Sequence, residues 1–302
     1  MSVIAIVVAL LLEQWRPLGD RKSVVAALQG WSEWLERSFD AGEQNHGRIA
    51  WLVAALLPVA AVIALHELLN RFVSPVAAML LNVLVLYLTL GFRQFSHYFT
   101  DISNAIKEGD TDRARELVGA WRGESALHRS REEVIRLAIE EAIAHSHRHV
   151  FAVLFWFVLL PGPSGAILYR LAAYLQRRWS GRGEFGRFAA HALTILEWPA
   201  ARLTAASFAV VGDFEDAIYC WRTQAAAWPD PNLGIVLAAG AGALGVRLGM
   251  PLAEIEGLQV RSDLGLGEAA DAPHLDSIVG LLWRALVLWV FVLVVLSLAR
   301  IF

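Results

Sequence analysis

The chain has 302 residues, 57% of them apolar and only 18% charged, with a mean hydropathy of +0.49. An ordinary soluble domain carries about 25% charged residues and has too little interior to hide that much apolar surface, so the excess must face lipid or a partner. A net charge of −3 offers no basic field for nucleic acid, and a single cysteine, Cys220, excludes an internal disulfide.

Met1 to Leu12 is almost wholly apolar. It has no positive stretch before it and no small-residue cleavage site after it, so it reads as a partial or slanted membrane helix that is retained, not as a signal peptide. Ile49 to Leu65 is the first full span, and polar His66, Glu67, Asn70 and Arg71 follow it. Pro75 then opens a second apolar run, Val76 to Phe92. The short connection predicts a hairpin of antiparallel helices.

Residues 93–149 are polar and helix-favouring, with acids and bases mixed. Apolar positions recur at helical spacing through Ile102, Ala105 and Ile106, then Ala114, Leu117 and Val118, then Val134, Leu137, Ala138 and Ala142. Gly109-Asp110 and the stretch Gly123 to Ser130 punctuate them as turns. This predicts a soluble insert of short amphipathic helices. It serves either as a solvated connector or as part of a ligand site.

Val150 to Leu160 is apolar and aromatic, Pro161 to Gly165 interrupts it, and Ala166 to Leu175 resumes it. Neither half spans alone. A broken helix survives at membrane depth only where protein or a cavity satisfies the freed backbone groups, so a broken or re-entrant helix is expected here. Arg177, Arg178, Arg182 and Arg187 follow, and a basic cluster beside a span predicts the cytoplasmic side. Leu193 to Val211 is apolar but interrupted by Glu197, Pro199 and Arg202. Leu233 to Met250 is rich in small residues that permit close helix approach. Pro251 to His274 reads as a loop, and Leu281 to Phe302 as a terminal span. The whole is an all-α, polytopic membrane protein, residues 1–302 forming one integral membrane domain around the insert.

Three groups could carry chemistry. His145 and His149 stand at i and i+4, a spacing that lets two imidazoles share a metal, while His147 points elsewhere. No Glu adjoins His145 to make a metalloprotease motif, so a structural cluster is the stronger reading and no metal site is assigned. Glu140 and Glu141 precede them and either bind magnesium or an amine, or are simply solvated. Glu197 and Arg202 are ionisable groups in an apolar stretch, which are costly and often functional, or which pair with each other.

The order of several segments carries a resemblance. Gly109-Asp110 precedes Ala114-Arg115-Glu116-Leu117; Arg136 through Glu140 follows, then Leu154-Phe155 before the Gly/Pro break. Tyr169-Arg170, Phe185-Gly186 with Ala189-Ala190, Ala201-Arg202-Leu203-Thr204-Ala205 and Pro231-Asn232 come next. The run Ala241-Gly242-Ala243-Leu244-Gly245-Val246-Arg247-Leu248-Gly249 is the most specific. In this order, from about residue 85 onward, the chain resembles the CobD/CbiB family of cobalamin-pathway membrane proteins. Its opening, Leu11-Leu12-Glu13 and then Leu18-Gly19, is more similar to AmpE, a membrane protein tied to β-lactamase induction.

The resemblance implies a bacterial inner-membrane protein. It also implies an enzyme that joins cobyric acid to aminopropanol or its phosphate through an amide bond, using ATP and magnesium. Matched residue by residue, the acids that chemistry needs are replaced. The family's Glu-Asn pair falls on Ala144-His145, its next Asp on Arg148, and its Tyr-Lys on Tyr169-Arg170. Further Asn and Asp positions fall on Ala173 and Gln176, an acidic pair on Leu193-Thr194, and a Glu on Leu237. Glu140, Tyr169, Arg202 and Asn232 remain. Two functions stay open: a non-catalytic ligand-binding or signalling protein, and a divergent adenosylcobinamide-phosphate synthase, the reading that would require ATP and magnesium. In either case the expected cleft comprises Glu140, His145, His149, Tyr169, Arg170, Arg202 and Asn232. Its expected occupant is a corrinoid or other small ligand. The sequence leaves the oligomeric state open.

Overall fold

The computed structural model describes residues 2–15, 22–39, 44–254, 257–259 and 261–299. Leu18-Gly19 and the last residues of the terminal span, 300–302, lie outside them. Among the described residues helices dominate, as the apolar runs require: a backbone in lipid must satisfy its own hydrogen bonds. Three helical stretches among the described residues are long and apolar enough to cross a membrane: Asn45–Val73, Arg131–Leu159 and Ala272–Ala299. The chain divides into two units, Met1–Gly91 with Ala152–Ala200, and Phe92–Phe151 with Ala201–Phe302.

In the first unit, α1 (Ser2–Trp15) packs on α4 (Pro75–Thr89), and α2 (Lys22–Phe39) packs on α3 (Gln44–Leu68). Helix α3 runs into a π-helical turn, Leu69–Val73. Pro75 then opens α4 at its first position, where a missing N–H costs nothing, and the Ser74 hydroxyl accepts from Ala77 N at 3.1 Å. The expected break is a tight turn between α8 (Ala152–Leu159) and α9 (Ser164–Trp179). The two helices return on each other so closely that a Cβ on Gly165 would lie 1.8 Å from the carbonyl oxygen of Trp156. Helix α9 also packs on α3 and α4. The basic cluster after it is partly spent inside the protein. The buried Glu36 accepts from Arg178 Nε (3.0 Å), Arg182 (2.9 Å) and the Trp179 indole N–H (3.0 Å).

In the second unit, α5 (Phe92–Glu108) and α6 (Thr111–Arg122) pair across the Gly109-Asp110 turn, where Asp110 caps α6. Helix α7 (Arg131–Ser146) opens with a capping box between Ser130 and Glu133. It is packed by α5, α6, α12 (Pro231–Leu244) and α13 (Ala272–Ala299). Almost every residue from Val134 to Ala144 is buried, the mark of a helix enclosed on all sides. It does not stop at His149, where the polar sequence ends. It continues through a π turn, His147–Phe151, directly into α8. Helix α10 (Gly183–Val211) likewise has residues in both units.

Helix α11 (Phe214–Gln224) packs along α12, and the small residues of α12 serve the expected close approach: a Cβ on Gly242 would meet the carbonyl oxygen of Asp216 at 2.4 Å. The segment expected to be loop contains short strands. Strand β1 (Val246–Arg247) pairs in parallel with β4 (Glu268–Ala269), and β2 (Leu252–Glu254) pairs antiparallel with β3 (Gly257–Gln259). They are too short to show alternation in sequence.

The lone thiol of Cys220 is fully enclosed on α11, and burial pushes its pKa up to about 11. The folded state thus favours the neutral thiol. Its stabilising contribution is complete below the ordinary value of 9.0 and is lost as pH rises from there through about 11. At pH 8 about one thiol in a thousand would be ionised. Maleimide labelling of native membranes at that pH is expected to be negligible and to become complete on unfolding. Rapid labelling of the folded protein would show Cys220 to be accessible.

Candidate functional site

The residues matched to the family's site fall in both units. In the first unit, Tyr169 is fully buried on α9 and its hydroxyl donates to Glu197 Oε1 of α10 at 3.2 Å. Arg170, beside it on α9, is half-buried. The remaining candidates, Glu140, His145, His149, Arg202 and Asn232, belong to the second unit, where most of them surround α7 and the start of α12.

Glu140 is the most committed of them. It is only 4% exposed, and both carboxylate oxygens are engaged. Oε1 accepts the backbone N–H of Gly249 at 2.9 Å, and Oε2 forms an ion pair with Arg261. The guanidinium of Arg261 in turn lies over the Trp228 ring, 4.8 Å from its centroid. One turn earlier on α7, at the i−4 position that shares this face, Arg136 donates to the Pro251 carbonyl at 3.3 Å. The 249–251 turn and Arg261 therefore cover one face of α7. Gly249 is required there: its φ is +72°, and a Cβ would sit 1.9 Å from the Ser262 carbonyl oxygen.

About 12 Å further along the helix, by its rise, Arg148 reaches Asp230 at 3.2 Å. Asp230 also caps α12 by accepting from Asn232 N and Leu233 N. Asn232, the second residue of α12, accepts from Arg202 at 3.4 Å. So Arg148, Arg202, Asp230 and Asn232 meet at the start of α12. Next to Arg148, the buried His147 uses Nδ1 to bond the Thr204 hydroxyl at 3.0 Å.

The second pair, His145 and His149, is stacked: ring centroids are 4.9 Å apart and the planes differ by 4°. Ring lone pairs lie in the ring planes, so parallel stacked imidazoles direct them side by side instead of converging on one ion. Trp121 meets His145 in a tilted contact, centroids 5.2 Å apart with the planes at 49°, and itself stacks on Tyr98 at 6.1 Å. Glu141 is not solvated on an open face; it accepts from Arg122 at 3.0 Å and pairs with His145 at 3.4 Å. Among the described residues no three His, Cys, Asp or Glu side chains group to hold a metal.

Sequence reasoning missed Arg261, Gly249, Arg148 and Asp230 as partners in this cluster. Arg261 lies in an aperiodic segment 121 residues from Glu140, where no spacing rule connects them. Trp228, which lies between the candidates Arg202 and Asn232 in sequence, supports the Arg261 guanidinium.

The family model described as CobD/Cbib protein matches residues 6–298 of this chain. Cobalamin biosynthesis protein CobD of Stutzerimonas stutzeri is 34% identical over 302 residues, 97% of each chain. The protein of that name from Chromobacterium violaceum is 37% identical over 219 residues, 71% of this chain and 70% of its own. The one from Mycobacterium tuberculosis is 30% identical over 235 residues, 74% of each. No solved structure matches. These similarities do not extend to the AmpE likeness of the opening. With its spans and its full-length match, the chain belongs to the CobD/CbiB family of cobalamin biosynthesis membrane proteins.

Proposed function

We propose that this family member binds a corrinoid or a related small ligand at the bacterial inner membrane and does not itself form the amide bond. The observation that carries the reading is the state of Glu140. It is the carboxylate retained at the family's site, and both of its oxygens are occupied by a backbone N–H and a guanidinium. Magnesium demands near-octahedral oxygen ligands at about 2.1 Å, usually including one or two carboxylates. Here the flanking positions are Ala144, His145 and Arg148, and a guanidinium beside Asp230 repels a divalent cation. The residues present do not fit magnesium and ATP.

The second reading, a divergent adenosylcobinamide-phosphate synthase, is favoured by 34% identity along 97% of a protein named for cobalamin biosynthesis. Complementation separates the two. The chain is expressed in a cell that lacks its own cobinamide-phosphate synthase and is fed cobyric acid. The expected result is no cobalamin, with the protein present and membrane-inserted. Cobalamin formation would overturn the non-catalytic reading.

A further inference from the structure

A cavity of about 420 Å³ opens in the first unit and shares no residue with the expected cleft. Glu33, Glu36 and Arg37 of α2 line it, with Arg178 near the end of α9 and Arg182 just beyond. Three guanidinium groups thus face two carboxylates, an excess of one positive charge.

The carboxylates hold the arginines in place without covering them. The buried Glu36 accepts from Arg178 and Arg182, and Glu33 pairs with Arg178 at 3.5 Å and with Arg37 at 3.7 Å. The side chains nevertheless stay 34% exposed at Arg178, 41% at Arg182 and 81% at Arg37. One guanidinium would neutralise the buried Glu36; here three stand on an open cavity. Planar donors that are fixed in advance suit phosphate oxygens and lose little freedom on binding them.

Depth identifies the source of the phosphate. Phe185, just after Arg182, lies against the start of the Asn45–Val73 span: a Cβ on Gly47 would meet its carbonyl oxygen at 2.1 Å. Phe188 meets Trp51 of the same span edge to face at 5.5 Å. The turn that carries Arg182 is therefore pinned at the end of a span, the level of a bilayer's headgroups. On α2, Trp34 is exposed one turn from Arg37, and an exposed indole at that level suits the membrane interface. Further along, the span presents Ile49, Leu56 and Leu57 outward.

We propose that this cavity seats the phosphodiester of an anionic glycerophospholipid on Arg37, Arg178 and Arg182, with its acyl chains continuing along the apolar surface of the span. The lipid is held and not transformed. The site stands apart from the proposed function, and neither outcome of complementation bears on it.

The test uses the full chain in a neutral detergent at constant ionic strength. Its thermal midpoint is followed during titration with phosphatidylglycerol, phosphatidylcholine of the same acyl chains, or inorganic phosphate, because a ligand of the folded state raises the midpoint by mass action. A saturable rise with phosphatidylglycerol, far smaller with the other two, is expected. Arg182→Gln should raise the half-saturating lipid concentration about fivefold, the worth of one cation beside anionic lipid. Should that variant fail to fold, Arg37→Gln decides with the same expected shift: its side chain is the most exposed of the three, and its ion pair with Glu33 lies at the surface. Glu33→Gln should act in the opposite direction and tighten binding. Arg113→Gln, at an exposed arginine of α6 in the second unit, should change nothing. An equal rise with inorganic phosphate would assign the cavity to a free anion, and an equal rise with phosphatidylcholine to acyl chains alone; either overturns the proposal. So does a phosphatidylglycerol response that Arg37→Gln and Glu33→Gln leave unchanged, or that Arg113→Gln weakens as much.

Discussion

Replacing Gly165 with valine is expected to destabilise the first unit by on the order of 3 kcal/mol, the upper end for forced overpacking. The new Cβ would begin 1.8 Å from the Trp156 carbonyl oxygen and 2.4 Å from its carbon. Both are backbone atoms, so no side chain can swing aside, and α8 and α9 must separate by more than an ångström. That separation would loosen the Trp156 indole N–H from the Leu196 carbonyl, a 3.1 Å bond, and α9 from α3 and α4. A matched control is Gly280→Val on α13, where an added Cβ meets nothing within 4 Å. The readout is the thermal midpoint of detergent-solubilised protein by size-exclusion recovery. A large fall for Gly165→Val beside a small change for Gly280→Val is expected. Equal midpoints would mean that the hairpin is not as tight as its geometry states.

That hairpin shows what a sequence displays well. Pro161-Gly162-Pro163 cannot continue a helix, so a break between the two apolar runs was legible from chemistry alone, while the choice between a broken span and a return was not. The first span, the Pro75 helix start and the terminal span were legible for the same reason: each is a local property of consecutive residues.

The continuity of α7 was hidden for the opposite reason. Arg136, Glu140, Glu141, His145, His147 and Arg148 gave the segment the polarity of a solvated surface. Most of those side chains are instead satisfied from within the second unit, by Arg261, Pro251, Arg122, Thr204 and Asp230. Their partners come from elements far along the chain. Polarity in sequence reports the residue, not whether a distant partner lets it be buried.

The face covered by Glu140 yields the second large effect. Glu140→Ala should cost about 3–5 kcal/mol, the penalty for removing one member of a buried ion pair. Arg261 would be left beside Arg136 with no buried counterion, and the Gly249 N–H would lose its acceptor. The double replacement Glu140→Met with Arg261→Met removes the pair as a whole and should recover much of that loss, because the orphaned charge disappears. The recovery is read as a coupling energy in a double-mutant cycle on the thermal midpoint. Additive losses would mean that the two side chains act independently and that the covered face is held by other contacts. The double variant also sharpens the functional question. A dead Glu140→Ala protein is ambiguous, since it has lost stability as well as a carboxylate. If the chain does make cobalamin, a double variant that is folded yet inactive would assign Glu140 or Arg261 to the chemistry. A double variant that is folded and active would restrict both to holding the 249–261 segment on α7.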